Sequence, residues 1–355
     1  MAISVAFRWV IFPKRLVPDH CDEHERSVGQ CAGVTYGDGK RTSEEAIAEV
    51  DLTGRTILIT GTTSGIGTET ARAFALKGAH VVMANRNIAQ AEALKKRILD
   101  EKPDAQIDMI MCDLSSLQSV QAAANEFKEQ HWPLHVLVLN AGVFCPSQKT
   151  TIDGLETTFG VNHVAHQYLV RELLPLLRQS HGRIVVVSSY LHTLTGLKAE
   201  MSVEEKIAKL CPNEGSNELG YRLYAYSKLC NVLMAMKLHR DENKNGISVY
   251  VLHPGSIGTD IMRTWGFLAK LWNLLAKPFT KSLSQGAATT VYCAASPEVL
   301  DVSGKYWESC WDDEKGLDVP LAHDDLLQEA LWEKTDKILD NFESSRKPIT
   351  TVSDA

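Results

Sequence analysis

The chain has 355 residues, of which 44% are hydrophobic and 23% charged, a composition typical of a globular protein with a full core. Its formal net charge of −7 gives no attraction to a phosphate backbone, so nucleic-acid binding is disfavoured. The eight cysteines include no Cys-x-x-Cys pair, which favours reduced thiols in a cytosol-like compartment over a disulfide framework.

Residues 1–50 are predicted to form an irregular extension that ends in a short helix at Ser43–Val50. Residues 1–12 are fairly apolar, yet they are too short for a membrane span and show no clear cleavage site of a signal peptide. We therefore expect a cytoplasmic location, with an organelle or a membrane surface left open. Cys21, His24 and Cys31 could suggest a metal site, but no further ligand is evident nearby. No metal is predicted.

From residue 51 onward, short apolar strands alternate with amphipathic helices. Strands are predicted at Thr56–Thr60, His80–Ala84, Gln106–Met111, Leu134–Leu139, Arg183–Val187 and Ser248–Leu252. Helices are predicted between them at Gly65–Lys77, Ala89–Asp100, Ser116–Gln130, Leu155–Arg178 and Tyr224–His239. This order predicts an α/β fold, a Rossmann-type doubly wound parallel sheet with helices on both faces. We predict one such domain over residues 51–345, followed by a C-terminal tail at 346–355.

The first predicted strand runs directly into a glycine-rich turn that opens the first long helix. Glycine allows backbone N–H groups to approach phosphate oxygens, and the helix N-terminus adds its positive dipole end. A turn of this kind in the first βαβ unit predicts a dinucleotide site, although its Gly-x-x-x-Gly-x-Gly spacing differs from the general Gly-x-Gly-x-x-Gly fingerprint. The predicted contacts come from Thr60, Gly61, Ser64, Gly65, Ile66 and Gly67.

The end of the second strand bears on the choice between nicotinamide cofactors. NAD sites commonly place a carboxylate there to bind the ribose hydroxyls, whereas this chain has Asn85 and Arg86. Arg86 could pair with a 2′-phosphate, so NADP(H) is preferred and NAD(H) stays open. The alternative is an ordinary solvated arginine. Asp113 and Leu114, after the third strand, are predicted to contact the adenine ring.

Polar residues that could carry acid–base chemistry lie at strand ends or on the helices beside them. Tyr224 and Lys228 are four apart on a helix and share one face. The Lys228 ammonium, together with the positive nicotinamide of a bound cofactor, is therefore expected to lower the pKa of the Tyr224 phenol. A serine hydroxyl could hold a substrate oxygen beside that phenol. Ser188 and Ser189 alternate in direction and cannot both face the cleft, while Tyr226 is expected to pack elsewhere.

These motifs, in this order, resemble short-chain dehydrogenases of the retinol dehydrogenase-like branch, and in particular the oxidoreductase domain of its WW domain-containing members. The resemblance covers about residues 51–339. WW modules are missing, since Trp9 is the one tryptophan of residues 1–50, so binding to proline-rich partners is not implied. The matching phrases are Asp51–Gly54, Leu155–Phe159, Val161–His163, Tyr226–Asn231, Pro278–Ser282 and Gln285–Ala295.

The resemblance implies a role for each residue of the cluster. Tyr224 would exchange a proton with the substrate, and Lys228 would orient the cofactor ribose and tune that tyrosine. Ser189, rather than Ser188, would position the substrate oxygen, and Asn162 would hold a proton-relay water. Further cofactor contacts are implied for Asn140, Ala141, Gly142, Tyr224, Lys228, Pro254, Gly255 and Thr259.

The predicted activity is the interconversion of an alcohol and a carbonyl. The apolar segment Trp265–Phe279 suggests a lipophilic substrate such as a retinoid, a steroid or a long-chain aldehyde. It could equally pack on the sheet or a partner subunit, or make shallow membrane contact. The family implies a homodimer through the helices around Asn162 and Tyr224. One alternative is a cofactor-binding scaffold that acts through protein contacts. A sugar-nucleotide epimerase is disfavoured because only about a hundred residues follow Pro254.

Overall fold

The computed structural model describes residues 40–256, 280–312 and 314–346. The predictions for Cys21, His24 and Cys31 lie outside the described residues. So do those for Thr259 and the apolar segment 265–279.

A parallel sheet of seven strands forms the centre of the described structure, in the order β3-β2-β1-β4-β5-β6-β7. The five central strands are largely buried, whereas the two edge strands are partly exposed. Burial on both faces is why the central strands appear in the sequence as continuous apolar runs rather than alternation. The strand order reverses between β1 and β4, so a ligand crevice is expected beyond their carboxyl ends. The predicted doubly wound α/β fold is confirmed. The strands are Thr56–Thr60, His80–Asn85, Gln106–Met111, Val136–Leu139, Arg183–Val187, Ser248–His253 and Lys305–Glu308 (β1 to β7).

Helices cover both faces of the sheet. One face packs against α1, α2, α3 and α9, and the other against α4, α6, α7, α8, α10 and α11. Side-chain caps fix several of the starts, for example Asn87 before α3 and Ser116 before α4. The helices are Ser43–Ala46, Gly65–Leu76, Ile88–Glu101, Leu117–Glu129, Thr157–Phe159, Ala165–Gln179, Val203–Leu210, Gly220–Glu242, Leu283–Ala295, Val319–Ala322 and Asp325–Arg346 (α1 to α11).

The predicted helix Leu155–Arg178 is found as one helical run from Thr157 to Gln179, with a π-helical turn at Gly160–Val164 between α5 and α6. The Ala165 N–H bonds to the Gly160 carbonyl five residues back, which accommodates one extra residue in the turn. A Cβ on Gly160 would lie 2.9 Å from the Thr151 side chain, so the turn fits only with glycine there. Asn162 lies in this π-helical turn.

The C-terminal helix α11 covers the helices that carry Asn162 and Tyr224. Arg171 on α6 pairs with Asp340 and Glu343, and Gln167 donates to Asp336. These bonds hold α11 against α6.

The segment between β5 and α8 contains the charged helix α7 (Val203–Leu210), on which Lys206 is only 2% exposed. The Lys206 ammonium donates to the Ala199 carbonyl and to Asp324 Oδ2, both at 2.9 Å. This ion pair ties α7 to the start of α11.

We expect Asp324→Asn to lower the free energy of unfolding by about 3 kcal/mol, because it leaves a buried ammonium without its counter-charge. Asparagine retains the cap that Asp324 Oδ1 provides to the Leu327 N–H. Asp325→Asn is the matched control, since Asp325 is an exposed partner of Arg240 and should cost less than about 1 kcal/mol. Urea denaturation measures both, and equal losses would contradict the assignment.

Candidate active site

The turn after β1 can be built only with glycine at its key positions. Gly61 and Gly65 have φ of 72° and 62°, in the left-handed region. A Cβ on Gly67 would lie 2.1 Å from the Gly61 carbonyl oxygen, and one on Gly61 would lie 2.8 Å from Ala141 Cβ. The turn is therefore closed on itself and packed against the segment that follows β4.

Asn85, which sequence reasoning did not single out, holds this turn from the end of β2. Its Oδ1 accepts from the Thr62 N–H at 2.7 Å, and its Nδ2 donates to Thr62 Oγ1 at 2.8 Å. Asn85 is 2% exposed, so both bonds are shielded from water. An asparagine at the carboxyl end of an otherwise apolar strand was the available signal.

The N-terminus of α2 fits a pyrophosphate. Its N-cap residue, Ser64, makes no side-chain bond to the first-turn N–H groups, and no acidic residue lies in that turn. Those N–H groups, at the positive end of the helix dipole, suit an anion. Ser64, Gly65, Ile66 and Gly67, the predicted contacts, all lie at this end of the helix.

Arg86 and Asp113 lie at the ends of the two neighbouring strands. Arg86 is exposed and makes no hydrogen bond or ion pair with any described residue, so its guanidinium is available to a ligand. Asp113 Oδ1 accepts from both the N–H and the hydroxyl of Ser115. Leu114 is buried in the core. An adenine contact at this turn stays a prediction.

Asn140 joins the carboxyl end of β4 to that of β1. Its Nδ2 donates to the carbonyls of Thr60 and Gly61, each at 2.9 Å. Its Oδ1 is buried without a partner among the described residues, an open acceptor beside the glycine turn. The Thr60 hydroxyl oxygen in turn accepts from the N–H groups of Asn140 and Ala141, at 3.0 and 3.1 Å.

Asn162 and Lys228 meet at Gly142. A Cβ there would lie 3.4 Å from Asn162 Oδ1 and 3.5 Å from Lys228 Nζ. Asn162, fully buried, accepts from the Val143 N–H at 2.8 Å and donates to the Val143 carbonyl at 3.0 Å. Its Nδ2 also donates to Ser227 Oγ at 3.0 Å. The asparagine thus links the loop after β4 to the helix that carries Tyr224.

The two serines after β5 have different partners. Ser188 is buried and donates to the Lys228 carbonyl at 2.8 Å, whereas the Ser189 hydroxyl is close enough to the Tyr224 phenol to lower its pKa. The Lys228 ammonium lies 5.5 Å from the Tyr224 ring centroid and donates to the Val187 carbonyl at 2.8 Å. Ser189, Tyr224 and Lys228 therefore form one cluster, and Tyr226 is packed elsewhere, with its hydroxyl 3.5 Å from Glu218.

Burial dominates the electrostatics of the cluster. Burial raises the pKa of the Tyr224 phenol, and the nearby Ser189 hydroxyl opposes this only partly. Burial lowers the pKa of the Lys228 ammonium to about 8. In the chain without a cofactor, desolvation therefore dominates, and the lowering of the tyrosine pKa by Lys228 together with a bound nicotinamide stays a prediction. At neutral pH the tyrosine is a neutral acid beside a cationic lysine.

Two further residues support the cluster and were missed from sequence. His192 Nδ1 lies 2.7 Å from the Ser189 carbonyl, and its Nε2 accepts from the Asp318 N–H at 3.2 Å. Lys281 packs against Gly255, where a Cβ would lie 2.8 Å from the lysine chain. Gly255, next to Pro254, has φ of 89°, so glycine is required at this turn. The bond between His192 and Asp318 and the contact between Lys281 and Gly255 join segments that are distant in sequence, so they leave no local pattern.

A doubly wound parallel sheet with a glycine turn after β1 and a Ser, Tyr and Lys cluster beyond β5 has the arrangement of a dinucleotide-dependent oxidoreductase. A family profile described as short chain dehydrogenase matches residues 55–199. The chain belongs to the short-chain dehydrogenase/reductase family, and it is an oxidoreductase.

Two curated relatives place it more closely. It is 42% identical to the WW domain-containing oxidoreductase of Gallus gallus over 315 residues, which are 88% of this chain and 74% of that protein. It is 36% identical to retinol dehydrogenase 12 of Mus musculus over 263 residues, 74% of this chain and 79% of that protein. The resemblance to the retinol dehydrogenase-like branch is thereby confirmed.

Among solved structures, the fold is similar to a putative NAD(P)-dependent gluconate 5-dehydrogenase from Beutenbergia cavernae with bound NADP. The TM-score is 0.57 at 22% identity, over 73% of this chain and 96% of that one. Within the described residues, no helix has the length and apolar character needed to cross a membrane. The same residues include no group of three His, Cys, Asp or Glu side chains that could hold a metal.

Proposed function

We propose that the chain is an NADP(H)-dependent oxidoreductase that interconverts an alcohol and a carbonyl on a lipophilic substrate. The observation that carries the proposal is the buried Tyr224 phenol, with the Lys228 ammonium 5.5 Å from its ring centroid and the Ser189 hydroxyl nearby. Such a phenol is an acid within reach of any substrate oxygen that the serine hydroxyl also binds.

The cluster supports carbonyl reduction in a definite way. Because burial raises the pKa of Tyr224, the phenol holds its proton at neutral pH and donates it to the substrate oxygen. Ser189 binds the same oxygen and stabilises the charge that develops on it. Lys228 keeps a positive charge near the phenol, and Asn162 fixes the loop after β4. When bound, NADPH supplies the hydride. Alcohol oxidation uses the same groups in reverse.

The proposed cofactor site rests on the glycine turn, the uncapped end of α2 and the open acceptor of Asn140. Thr60, Gly61, Ala141 and Gly142 lie with these groups at the carboxyl ends of β1 and β4. In addition, Pro254, Gly255 and Thr259 are proposed to contact the nicotinamide end, and Asp113 with Leu114 the adenine.

Arg86 is proposed to set the preference for NADPH by pairing with its 2′-phosphate. We expect Arg86→Gln to raise the KM for NADPH by about 10- to 100-fold and to leave the KM for NADH nearly unchanged, a loss of about 1.4–2.7 kcal/mol. Arg97→Gln, at an exposed arginine on α3, is the control and should change the KM of neither cofactor. Steady-state kinetics with both cofactors test this. If the native chain prefers NADH, the role of Arg86 is refuted and the rest of the proposal stands.

A lipophilic substrate is proposed from one aromatic contact of the phenol and one apolar segment of the sequence. Phe144 packs edge-on against Tyr224, with ring centroids 5.0 Å apart, and the apolar segment 265–279 follows the Pro254 turn in sequence. The test is turnover of NADPH and NADH against retinoid, steroid and long-chain aldehydes and ketones. Turnover supports the enzyme. Binding of both cofactors without turnover of any substrate would favour a scaffold that acts through protein contacts.

Homodimerisation, membrane contact through 265–279 and a cytoplasmic location stay predictions.

A further inference from the structure

His166 is a buried histidine that the catalytic cluster does not use directly. It lies one turn after Asn162, at the start of α6, and is fully buried. Its Nε2 lies 3.0 Å from Thr60 Oγ1, and its Nδ1 lies 3.1 Å from the Asn162 carbonyl oxygen. One side chain therefore connects the end of β1 with the π-helical turn.

The direction of each hydrogen bond in this chain follows from the chemistry of the partners. The Asn162 carbonyl can only accept, so His166 Nδ1 carries the proton and donates. A neutral ring then has a lone pair on Nε2, which accepts from the Thr60 hydroxyl. The Thr60 oxygen accepts from the N–H groups of Asn140 and Ala141. No donor faces a donor anywhere in this chain of bonds.

The ring stays neutral over the working range of pH. Burial, together with the charge of Lys228, lowers the pKa of His166 to about 3, although the bond to the Asn162 carbonyl opposes this. A neutral ring with its proton fixed on Nδ1 keeps the bonds in one direction.

We propose that His166 is a positioning residue that aligns Asn162 and the turn after β4 with the glycine turn after β1. The inference rests on the proposed function for its kinetic consequence. Asn162 holds the Val143 backbone and Ser227 through its side chain, while its carbonyl is held by His166. Thr60 holds Asn140 and Ala141. Removing the imidazole releases both ends at once, next to Lys228 and Tyr224.

A neighbouring histidine provides a matched control. His163 lies in the same π-helical turn and is equally buried, and burial also lowers its pKa to about 3. Its Nε2, however, lies 3.2 Å from Thr335 on α11, on the side away from the glycine turn. A purely structural effect of losing a buried histidine should be similar for the two positions, whereas an effect on positioning should follow only from His166.

The first test compares His166→Leu, His163→Leu and His166→Asn in the full chain. We expect His166→Leu to lower kcat by about 10- to 100-fold with little change in the substrate KM, because sub-ångström misplacement of reacting groups costs this much. His163→Leu should leave kcat per folded molecule within about threefold of native. His166→Asn, whose amide can replace Nδ1 as donor to the Asn162 carbonyl, should recover most of the rate. Equal losses for the two leucine variants, or no recovery with asparagine, would overturn the proposal.

The second test does not depend on turnover, so it separates this proposal from the proposed function. The N–H groups of Asn140 and Val143 bond to Thr60 Oγ1 and Asn162 Oδ1. In His166→Leu these two amides should exchange with deuterium about tenfold faster than in native protein, and in His163→Leu they should not. Unchanged exchange in His166→Leu would refute the positioning role even in an active enzyme. Faster exchange in a chain without turnover would leave this role intact and count against the function.

Discussion

Tyr224→Phe is expected to lower kcat for carbonyl reduction by about 10²- to 10⁴-fold, the usual contribution of a positioned acid. The phenol is the proposed proton donor of the cluster, and burial raises its pKa and so keeps it protonated. Phenylalanine retains the edge-on contact with Phe144 and the ring face near Lys228. Folding and cofactor affinity should therefore be preserved, so that the loss is confined to kcat in stopped-flow measurements.

Tyr226→Phe is the matched control for this experiment. Tyr226 is on the same helix and is 2% exposed, but its hydroxyl lies near Glu218 rather than in the cluster. We expect the kcat of Tyr226→Phe to stay within about twofold of native, because a hydroxyl outside the cluster is not within hydrogen-bond reach of the substrate oxygen. Substantial turnover by Tyr224→Phe would mean that water or Ser189 delivers the proton, and the assignment of Tyr224 as the acid would be wrong.

The sheet and the positions of the site residues were largely predictable from sequence because they depend on local patterns. Apolar runs predicted β1, β3 and β5 with the bounds that the structure has. Once those strands are parallel, their carboxyl ends lie at one edge, and the residues that follow each strand must meet there. Residues such as Asn140 and Ser189 are brought together by this rule alone. No long-range contact had to be known.

Features that depend on contacts between distant segments could not be predicted. The π-helical turn around Asn162 has the same apolar periodicity as a continuous helix, so its extra residue is invisible in sequence. His166 and Thr60 are 106 residues apart, and no sequence motif around either residue predicts their contact. The pKa of Tyr224 depends on how completely the cluster is buried, which spacing to Lys228 does not reveal.

The pH dependence of activity should be governed by Lys228. Burial lowers its pKa to about 8, so the ammonium is present below that pH and lost above it. Because the charge beside Tyr224 is needed to stabilise the phenolate formed after proton transfer, kcat should fall as the pH rises through about 8. Lys228→Met should be slower by about 10²-fold or more at pH 7. A native rate that stays flat to pH 10 would contradict this role.

Stability should show the opposite dependence on pH. Between about pH 8 and 10.5 the unfolded chain binds the Lys228 proton and the folded chain does not, so the free energy of unfolding rises with pH across that window. Below pH 8 the buried charge costs the folded state about 3 kcal/mol. Lys228→Met removes this cost but leaves the Val187 carbonyl without its donor, at about 1–2 kcal/mol. The variant should therefore be more stable than native at pH 7, by about 1 kcal/mol, and should lose the rise between pH 8 and 10.

Lys206→Met provides the comparison that separates these effects from those of removing any buried lysine. Lys206 is as buried as Lys228, but it has Asp324 as its counter-charge. Its loss leaves that carboxylate unpaired and should destabilise the chain at pH 7. Replacing the two buried lysines should therefore change the free energy of unfolding in opposite directions. Lys206 is paired with a carboxylate, which favours stability, whereas Lys228 has no carboxylate partner among the described residues and is kept for chemistry. Urea denaturation of both variants from pH 7 to pH 10 measures this, and destabilisation of the same size by both would show that Lys228 is a structural residue.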